Sequence, residues 1–507
     1  PAPFTPKNLQ MKRPSQILAT VAICFCMGEV YGQQGNYVFG IESWAGYTSN
    51  GTVPFWLRSN QFGSVPLDGA SLSLIGFARK EYTPGKEKFF DWGASFEGRA
   101  NLGQGSNLTL IEGYGKVRLG IFELRAGRSK KITGLCDTTL TSGSWAISGT
   151  SLGNPEVELS VRDFWTIPWL GELFAFKGNF SHGWMGTKEM SRYILHDTVS
   201  TKSFLHQKSL YGRFGKPSWK IKLYGGFNHQ VVWGDEQKYY LDDYTLTPTQ
   251  TYLYVITGKK FTNGYIQEER QGNHLGSIDL GLEYQFEKIK MTLYRQSIYE
   301  AGGLAHFANI EDGLNGLILE NTKYKDKSSG WKKFVFEVLY TKKQSKDTWS
   351  PYADQLYYEG YYNHGQYVQG WSYNGNSLGT PLVATRENLR AELSSAPRDF
   401  YVNNRVIAFH LGGEGTVKGL DYQFKATFSN NYGSYLTADP DGDGAGIDEA
   451  GEYGIFGVQK QFSAFLDLGR RLSGNVDAGL ILAADIGNLY YSSLGIMARA
   501  SYSFRLQ

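Results

Sequence analysis

Residues of opposite character alternate along most of this chain, and the alternation predicts β-strands. Phe90, Trp92, Ala94, Phe96, Gly98, Ala100 and Leu102 share one face of a strand, and Asp91, Gly93, Ser95, Glu97, Arg99 and Asn101 share the other. Ile278, Leu280, Leu282, Tyr284 and Phe286 stand in the same way against Ser277, Asp279, Glu283 and Gln285. Leu420, Tyr422, Phe424, Ala426 and Phe428 oppose Asp421, Gln423, Lys425, Thr427 and Ser429. Further runs cover 174–184, 219–227, 334–340 and 476–486, and the longest runs from Leu494 to Leu506.

A soluble sandwich also alternates, so length and end composition decide between the two. Many runs reach the roughly nine residues that cross a bilayer at a tilt, whereas soluble strands average about five or six. Tyr, Trp and Phe gather at the ends of runs, as in interfacial girdles. The terminal Tyr502-Ser503-Phe504 resembles the C-terminal assembly signal of outer-membrane barrels, although Gln507 stands where that signal has an aromatic. The prediction is an all-β fold, a transmembrane antiparallel β-barrel of about 16–18 strands, eighteen favoured, at roughly 26 residues per strand and connection. It forms one domain, 33–507, with no helix of useful length and no linker. Long connections at 234–273, 300–329, 341–404 and 433–451 are expected to face the cell surface.

Residues 1–10 read as upstream sequence before Met11. Lys12 and Arg13 then precede an uncharged apolar stretch, 17–27, too short to span a bilayer as a helix. Val30-Tyr31-Gly32 offers small residues for signal-peptidase cleavage after Gly32, so 1–32 is read as upstream residues plus a cleaved signal. Cys24 and Cys26 lack the small preceding residue that lipoprotein processing requires, and cleavage leaves Cys136 as the only thiol.

Composition narrows the function. The 507 residues hold 51 Lys and Arg against 48 Asp and Glu, too even for a nucleic-acid binder that must neutralise phosphates. Aromatics at 15% argue against disorder, and a mean hydropathy of -0.36 excludes a helical membrane protein. No G-x-S-x-G elbow, H-E-x-x-H or phosphate-binding loop occurs, so an enzyme is not expected.

Ordered blocks over most of the chain resemble the Wzi-type capsule assembly proteins in their Bacteroidetes-like form. They include Val53-Pro54-Phe55-Trp56-Leu57-Arg58-Ser59-Asn60-Gln61-Phe62-Gly63, Gly153-Asn154-Pro155, and Phe176-Lys177-Gly178-Asn179-Phe180-Ser181-His182-Gly183-Trp184. Leu205-His206-Gln207-Lys208, Gly226-Phe227-Asn228-His229-Gln230, Tyr294-Arg295-Gln296-Ser297, Asn309-Ile310-Glu311-Asp312-Gly313, Tyr362-Asn363-His364-Gly365-Gln366-Tyr367 and Gly379-Thr380-Pro381-Leu382 follow in order. The resemblance implies an outer-membrane barrel of about eighteen strands that acts as a lectin, holding capsular polysaccharide without catalysis. This N-terminus shows no helical element of the kind that family members can carry.

A glycan site needs aromatic faces for sugar C–H surfaces and fork-like polar groups for paired hydroxyls. The stretch 357–373 holds both, in Tyr358, Tyr362, Tyr367, Trp371 and Tyr373 with Asn363 and His364 between them. A girdle or a self-packed loop uses the same residues. Arg295, Glu300, Glu311 and Asp312 form a second polar cluster if their loop enters the lumen, either binding sugar or bracing the wall. His182, His206 and His229 read as lumen-facing and hydrogen-bonded between strands, with no metal spacing. Asp439, Asp441 and Asp443 with Gly444 match the first half of a calcium loop; Ala450 stands where a bidentate Glu belongs, with Asp448, Glu449 and Glu452 near enough to substitute, so 439–452 reads either as a calcium site or as a solvated acidic tip. Charge pairs within strands, Glu97 with Arg99 and Asp421 with Lys425, favour a braced lumen.

The reading is a monomeric barrel in the outer membrane of a Gram-negative bacterium, surrounded by outer-membrane lipid, that binds capsular polysaccharide and works beside capsule export proteins. The alternative is a porin or substrate channel with an open lumen.

Overall fold

The computed structural model describes residues 36–66, 69–83, 88–103, 106–192, 195–264, 266–300, 302–325, 329–346, 358–441 and 450–506. The signal segment, Tyr357 and Asp443 lie outside them.

Eighteen strands form one closed antiparallel sheet. They are β1 Tyr37–Thr48, β2 Ser71–Lys80, β3 Phe90–Gly103, β4 Asn107–Leu119, β5 Phe122–Arg128 and β6 Glu156–Thr166. Then come β7 Phe174–Arg192, β8 Asp197–Phe214, β9 Ile221–Trp233, β10 Asn273–Gln285, β11 Ile289–Tyr299 and β12 Gly313–Asn321. The last are β13 Gly330–Tyr340, β14 Val406–Val417, β15 Leu420–Asn431, β16 Gln459–Ser473, β17 Val476–Gly487 and β18 Ser493–Leu506. Each pairs with its sequence neighbours, and β1 closes on β18 in the register Tyr37↔Leu506 to Thr48↔Gly495. Closure leaves no edge, so every strand can meet hydrocarbon with its backbone paired.

The faces follow the alternation. In β3, Phe90, Trp92, Phe96 and Leu102 are exposed while Asp91, Ser95, Glu97, Arg99 and Asn101 are buried. Leu210, Leu223, Phe227, Leu280, Leu293, Phe336, Phe409, Phe428 and Phe462 continue this exposed apolar belt around the wall. A cylinder that is greasy outside and polar inside is a transmembrane barrel.

Turns at the end that carries Tyr37 and Leu506 are short, none longer than the nine residues of 81–89. The opposite end carries the long connections 49–70, 129–155, 234–272, 300–312, 341–405 and 432–458. The expected loop 300–329 is corrected by β12, whose Leu317-Ile318-Leu319 is apolar on both faces and hides its period. Among the described residues there are three short α-helices: α1 Phe55–Arg58, α2 Glu236–Tyr240 and α3 Pro248–Thr257. The ten residues of α3 correct the expectation of no amphipathic helix of useful length. Thr247 and Gln250 close a capping box, Pro248 opens the helix, and Gly258 ends it at φ 65°.

Candidate functional site

Most long connections turn inward and fill the lumen towards their own end. Trp145, Tyr361, Tyr362, Tyr367, Trp371 and Tyr401 are all fully buried in one apolar cluster. Trp145 lies 4.4 Å from the Tyr362 ring and 5.0 Å from Tyr361, centroid to centroid. The polar tips of the tyrosines and of Trp371 are committed to internal hydrogen bonds. Trp371 Nε1 donates to Ala146 O at 2.8 Å, the Tyr362 hydroxyl donates to Trp145 O, and Thr380 N donates to the Tyr362 hydroxyl at 2.9 Å. A second cluster joins Phe55, Trp56 and Leu57 of α1 to Leu140, Leu382, Phe456 and Tyr490. A void between α1, 376–388 and Tyr490 measures only about 20 Å³, room for little more than one water.

Lumen-facing polar residues of the wall hold this plug. Glu337 of β13 accepts from Thr141 Oγ1 at 2.7 Å and from Ser142 N at 2.6 Å, and also from the Tyr294 hydroxyl. Leu135 N donates to Asp279 of β10 at 2.8 Å, and Trp145 N to Gln296 of β11 at 3.0 Å. His410 of β14 bridges Thr427 Oγ1 and Leu140 O at 2.8 and 2.7 Å. Phe55 N donates to Asp485 of β17 at 2.8 Å. The lumen is further braced by ion pairs, among them Lys130–Glu97 at 2.7 Å, Lys131–Glu156 at 2.6 Å and Lys222–Glu283 at 2.6 Å. The expected in-strand pairs are corrected. Glu97 pairs with Arg79 and Lys130, while Arg99 bonds Asn101 and Ser73. Asp421 accepts from Thr416, and Lys425 lies 4.9 Å from the Trp56 ring centroid. The bracing itself is present, carried across strands rather than along them.

The sugar-ligand candidates divide. Tyr362, Tyr367, Trp371 and Tyr373 are buried, so the self-packed arrangement describes them. Tyr358 is half-buried against Tyr435, ring centroids 4.9 Å apart. Asn363 and His364 keep some exposure, next to the exposed Gly365 and Val368. Asn363 exchanges bonds with the Tyr401 backbone at 2.8 and 2.9 Å. His364 Nδ1 accepts from Gln366 N at 3.1 Å and from Tyr367 N at 3.4 Å. Burial lowers the His364 pKa to about 4.

The second cluster divides: Glu300 and Asp312 meet the lumen plug, whereas Arg295 does not. Arg295 shares the outward face of β11 with Leu293, because Tyr294 and Gln296 point inward to the plug. Its guanidinium caps the Asp312 carbonyl at 3.0 Å and Asn315 Oδ1 at 2.8 Å. The Asp312 carboxylate is buried and accepts from Gln344 N and the Tyr361 hydroxyl, each at 2.7 Å. Glu300 accepts from Tyr362 N at 3.0 Å. Burial raises its pKa well above the usual carboxylate range, the Tyr362 amide opposes this, and the nearby Glu359 adds to it.

The histidine expectation is corrected as well. His182, His206 and His229 lie on the outer face of the wall, in line with Phe180, Leu210 and Phe227. His182 and His206 are shielded because α3 lies over them, with Tyr252 centred 5.2 Å from His182 and 5.9 Å from His206. His229 Nε2 meets His274 Nδ1 at 2.9 Å. Among the described residues no group of three His, Cys, Asp or Glu is placed to hold a metal ion. In the acidic loop, Asp441 N donates to Asp439 at 3.1 Å, and Asp443 lies outside the described residues. The plug segment 129–155 carried no site residue in the sequence reading, yet it is the piece that the wall holds most firmly.

A closed eighteen-strand cylinder with an apolar exterior and a lumen filled by its own loops is a membrane β-barrel of the outer-membrane type. Among solved structures it is similar to Wzi of Escherichia coli, described as a carbohydrate-binding β-barrel of the outer membrane involved in group 1 capsule assembly. The TM-score is 0.51 at 12% identity, over 97% of this chain and 87% of that one. Pseudomonas aeruginosa OccK11 (OpdR) gives 0.40 at 10% identity, over 94% of this chain and 100% of that one. Acinetobacter baumannii OccAB2 gives 0.43 at 11% identity, over 93% and 98%. The likeness is one of fold. No family description and no curated sequence matches the chain.

Proposed function

We propose that this protein sits in the outer membrane of a Gram-negative bacterium with its long connections at the cell surface, where it binds capsular polysaccharide and helps to hold the capsule. The filled lumen carries the reading. A channel needs a continuous water path, whereas here the plug bonds to strands around the wall, and among the described residues the void it leaves beside α1 is water-sized. What remains for function is the loop surface, and its rigid packing favours binding, since an ordered surface loses little entropy when a glycan docks. The fold likeness to Wzi, itself described as carbohydrate-binding, supports the same direction.

Within that surface we place sugar contact at Asn363 and His364, beside Gly365 and Gln366, where segment 358–369 meets the β7–β8 hairpin through the Met190↔Tyr367 bridge. Purified protein in detergent is expected to retain capsular polysaccharide in a pull-down, and Asn363→Ala with His364→Ala to weaken retention by about tenfold, roughly 1.4 kcal/mol. Wild-type protein that retains no polysaccharide and conducts ions in planar bilayers would overturn the proposal in favour of a channel.

A further inference from the structure

A chamber of about 410 Å³ lies in the lumen between the plug and the short-turn end. Its roof is segment 130–138 of the plug, and its walls are Arg125, Glu158, Ser160, Lys177, Asn179 and Tyr211. Lys177 and Asn179 are near the start of β7, and Tyr211 is near the end of β8, which places the chamber on the side away from the long connections. Arg162, half-exposed, stands at its margin.

Most of the charge here is internally matched. Arg125 pairs with Glu123 at 2.6 Å, Lys130 with Glu97 at 2.7 Å, and Lys131 with Glu156 and Glu158 at 2.6 and 2.5 Å. Burial works against the Lys131 charge, but the two carboxylates outweigh it and raise its pKa. Lys177 is the exception. Its ammonium lies 5.1 Å from the Phe164 ring and 5.4 Å from the Tyr211 ring, and among the described residues no carboxylate comes within 4.0 Å of it. Two further wall atoms, Arg125 Nε and Ser160 Oγ, are buried without a hydrogen-bond partner. Those two atoms lie behind the chamber surface, so the Lys177 ammonium is the charged group left for an occupant to answer.

We infer that this chamber binds a small acidic sugar of the uronate class, a site separate from the polysaccharide surface proposed above. The carboxylate would answer Lys177, hydroxyls would meet polar wall groups such as Asn179, and a C–H face would lie on Phe62 or Tyr211. The volume falls in the usual range for small-ligand pockets, about 300–1,000 Å³. A neutral hexose leaves the Lys177 charge unanswered, and a simple carboxylate leaves the hydroxyl partners unused. Both are therefore discriminated against.

The test is calorimetric titration of the full chain in detergent with D-glucuronate, D-glucose and acetate. Saturable glucuronate binding is expected, with glucose and acetate at least about tenfold weaker and Lys177→Met at least about tenfold weaker for glucuronate. Lys177→Met removes a half-buried charge with no carboxylate within 4.0 Å among the described residues, so the barrel should still form; Asn179→Ala, with an expected few-fold loss, is the second variant. No glucuronate binding overturns the inference, and so does acetate binding equally well, which would mean an unselective anion pocket. Full affinity in both variants overturns it too. Asn363→Ala and His364→Ala should leave glucuronate binding unchanged, so failure of the surface proposal and failure of this one are read separately.

Discussion

Removing the Glu337 carboxylate should detach the centre of the plug while leaving the barrel closed. Glu337 is buried on the lumen face of β13 and receives Thr141 Oγ1, Ser142 N, Ser142 Oγ and the Tyr294 hydroxyl. In Glu337→Ala the Ser142 amide and the Tyr294 hydroxyl are left buried without an acceptor. Each such group costs about 1–3 kcal/mol, and removal of one member of a buried charged network about 3–5 kcal/mol. At 1.4 kcal/mol per factor of ten, the detached state of segment 138–146 becomes on the order of a thousandfold more populated. The barrel ladder is untouched, because Glu337 pairs with His410 and Gly316 through its backbone alone. Hydrogen-exchange mass spectrometry should show faster exchange in 138–146 and none of the change in β13 or β14, and planar-bilayer recordings should gain transient openings. Unchanged protection of Ser142 and Trp145 would refute the reasoning, since it would mean that the wall contacts do not hold the plug.

Other outcomes follow from the same packing. Trp371→Ala removes a fully buried indole and leaves Ala146 O unpaired; a loss of about 3–5 kcal/mol in plug stability is expected, read as faster exchange in 140–150 and 358–373 with heat-modifiable barrel migration unchanged. Gly379→Ala places a methyl 1.9 Å from the Tyr362 hydroxyl and 2.1 Å from Trp145 O, so the same segments should loosen by about 1–3 kcal/mol. Glu300→Gln should stabilise the plug at pH 7 by on the order of 1 kcal/mol and change little at pH 4. The raised folded-state pKa means that Glu300 contributes stability below the unfolded value, and this is lost as pH rises towards the folded one. His364 has the opposite sign. Its Nδ1 accepts two amides and cannot do so when protonated; with a folded pKa of about 4 its contribution is complete above the unfolded value near 6.5 and fades as pH falls to 4, by at most about 3 kcal/mol. Exchange of segment 362–369 measured across pH 4–7 in wild type and His364→Ala checks this.

Much of the wall was legible because the membrane imposes a rule that each strand obeys alone. β3 presents Phe90, Trp92 and Phe96 outward wherever its neighbours lie, so its faces follow from its own residues. Legibility failed where a third layer covers a face. Ile318 of β12 packs on the plug, so apolar residues occur on both sides and the period disappears. His182 and His206 look lumenal because they are polar, yet α3 covers them on the outside. The signal for that helix was present in Thr247-Pro248, Gln250 and Gly258, a cap and a stop around residues of mixed polarity. The aromatic stretch 357–373 was ambiguous for a deeper reason. Sugar platforms and self-packed plugs use the same side chains, and what decides between them is Trp145 and Ala146, more than two hundred residues away.

The position of the plug also bears on how such a barrel could bind at its surface and deeper in its lumen at once. Segment 129–155 contributes Trp145 to the aromatic cluster that supports Asn363 and His364, and Lys131, Gly134 and Thr138 to the roof of the lower chamber. One rigid piece therefore borders both regions, and its position is fixed by Asp279, Gln296, Glu337 and His410. A plug tied so firmly gives no reason for the two regions to communicate, because coupling requires an element with two arrangements of similar free energy. Binding at either one is expected to leave affinity at the other unchanged in the wild type. In Glu337→Ala, where the shared piece is released, glucuronate affinity and polysaccharide retention should fall together, and a loss confined to one of them would show that segment 129–155 does not support both.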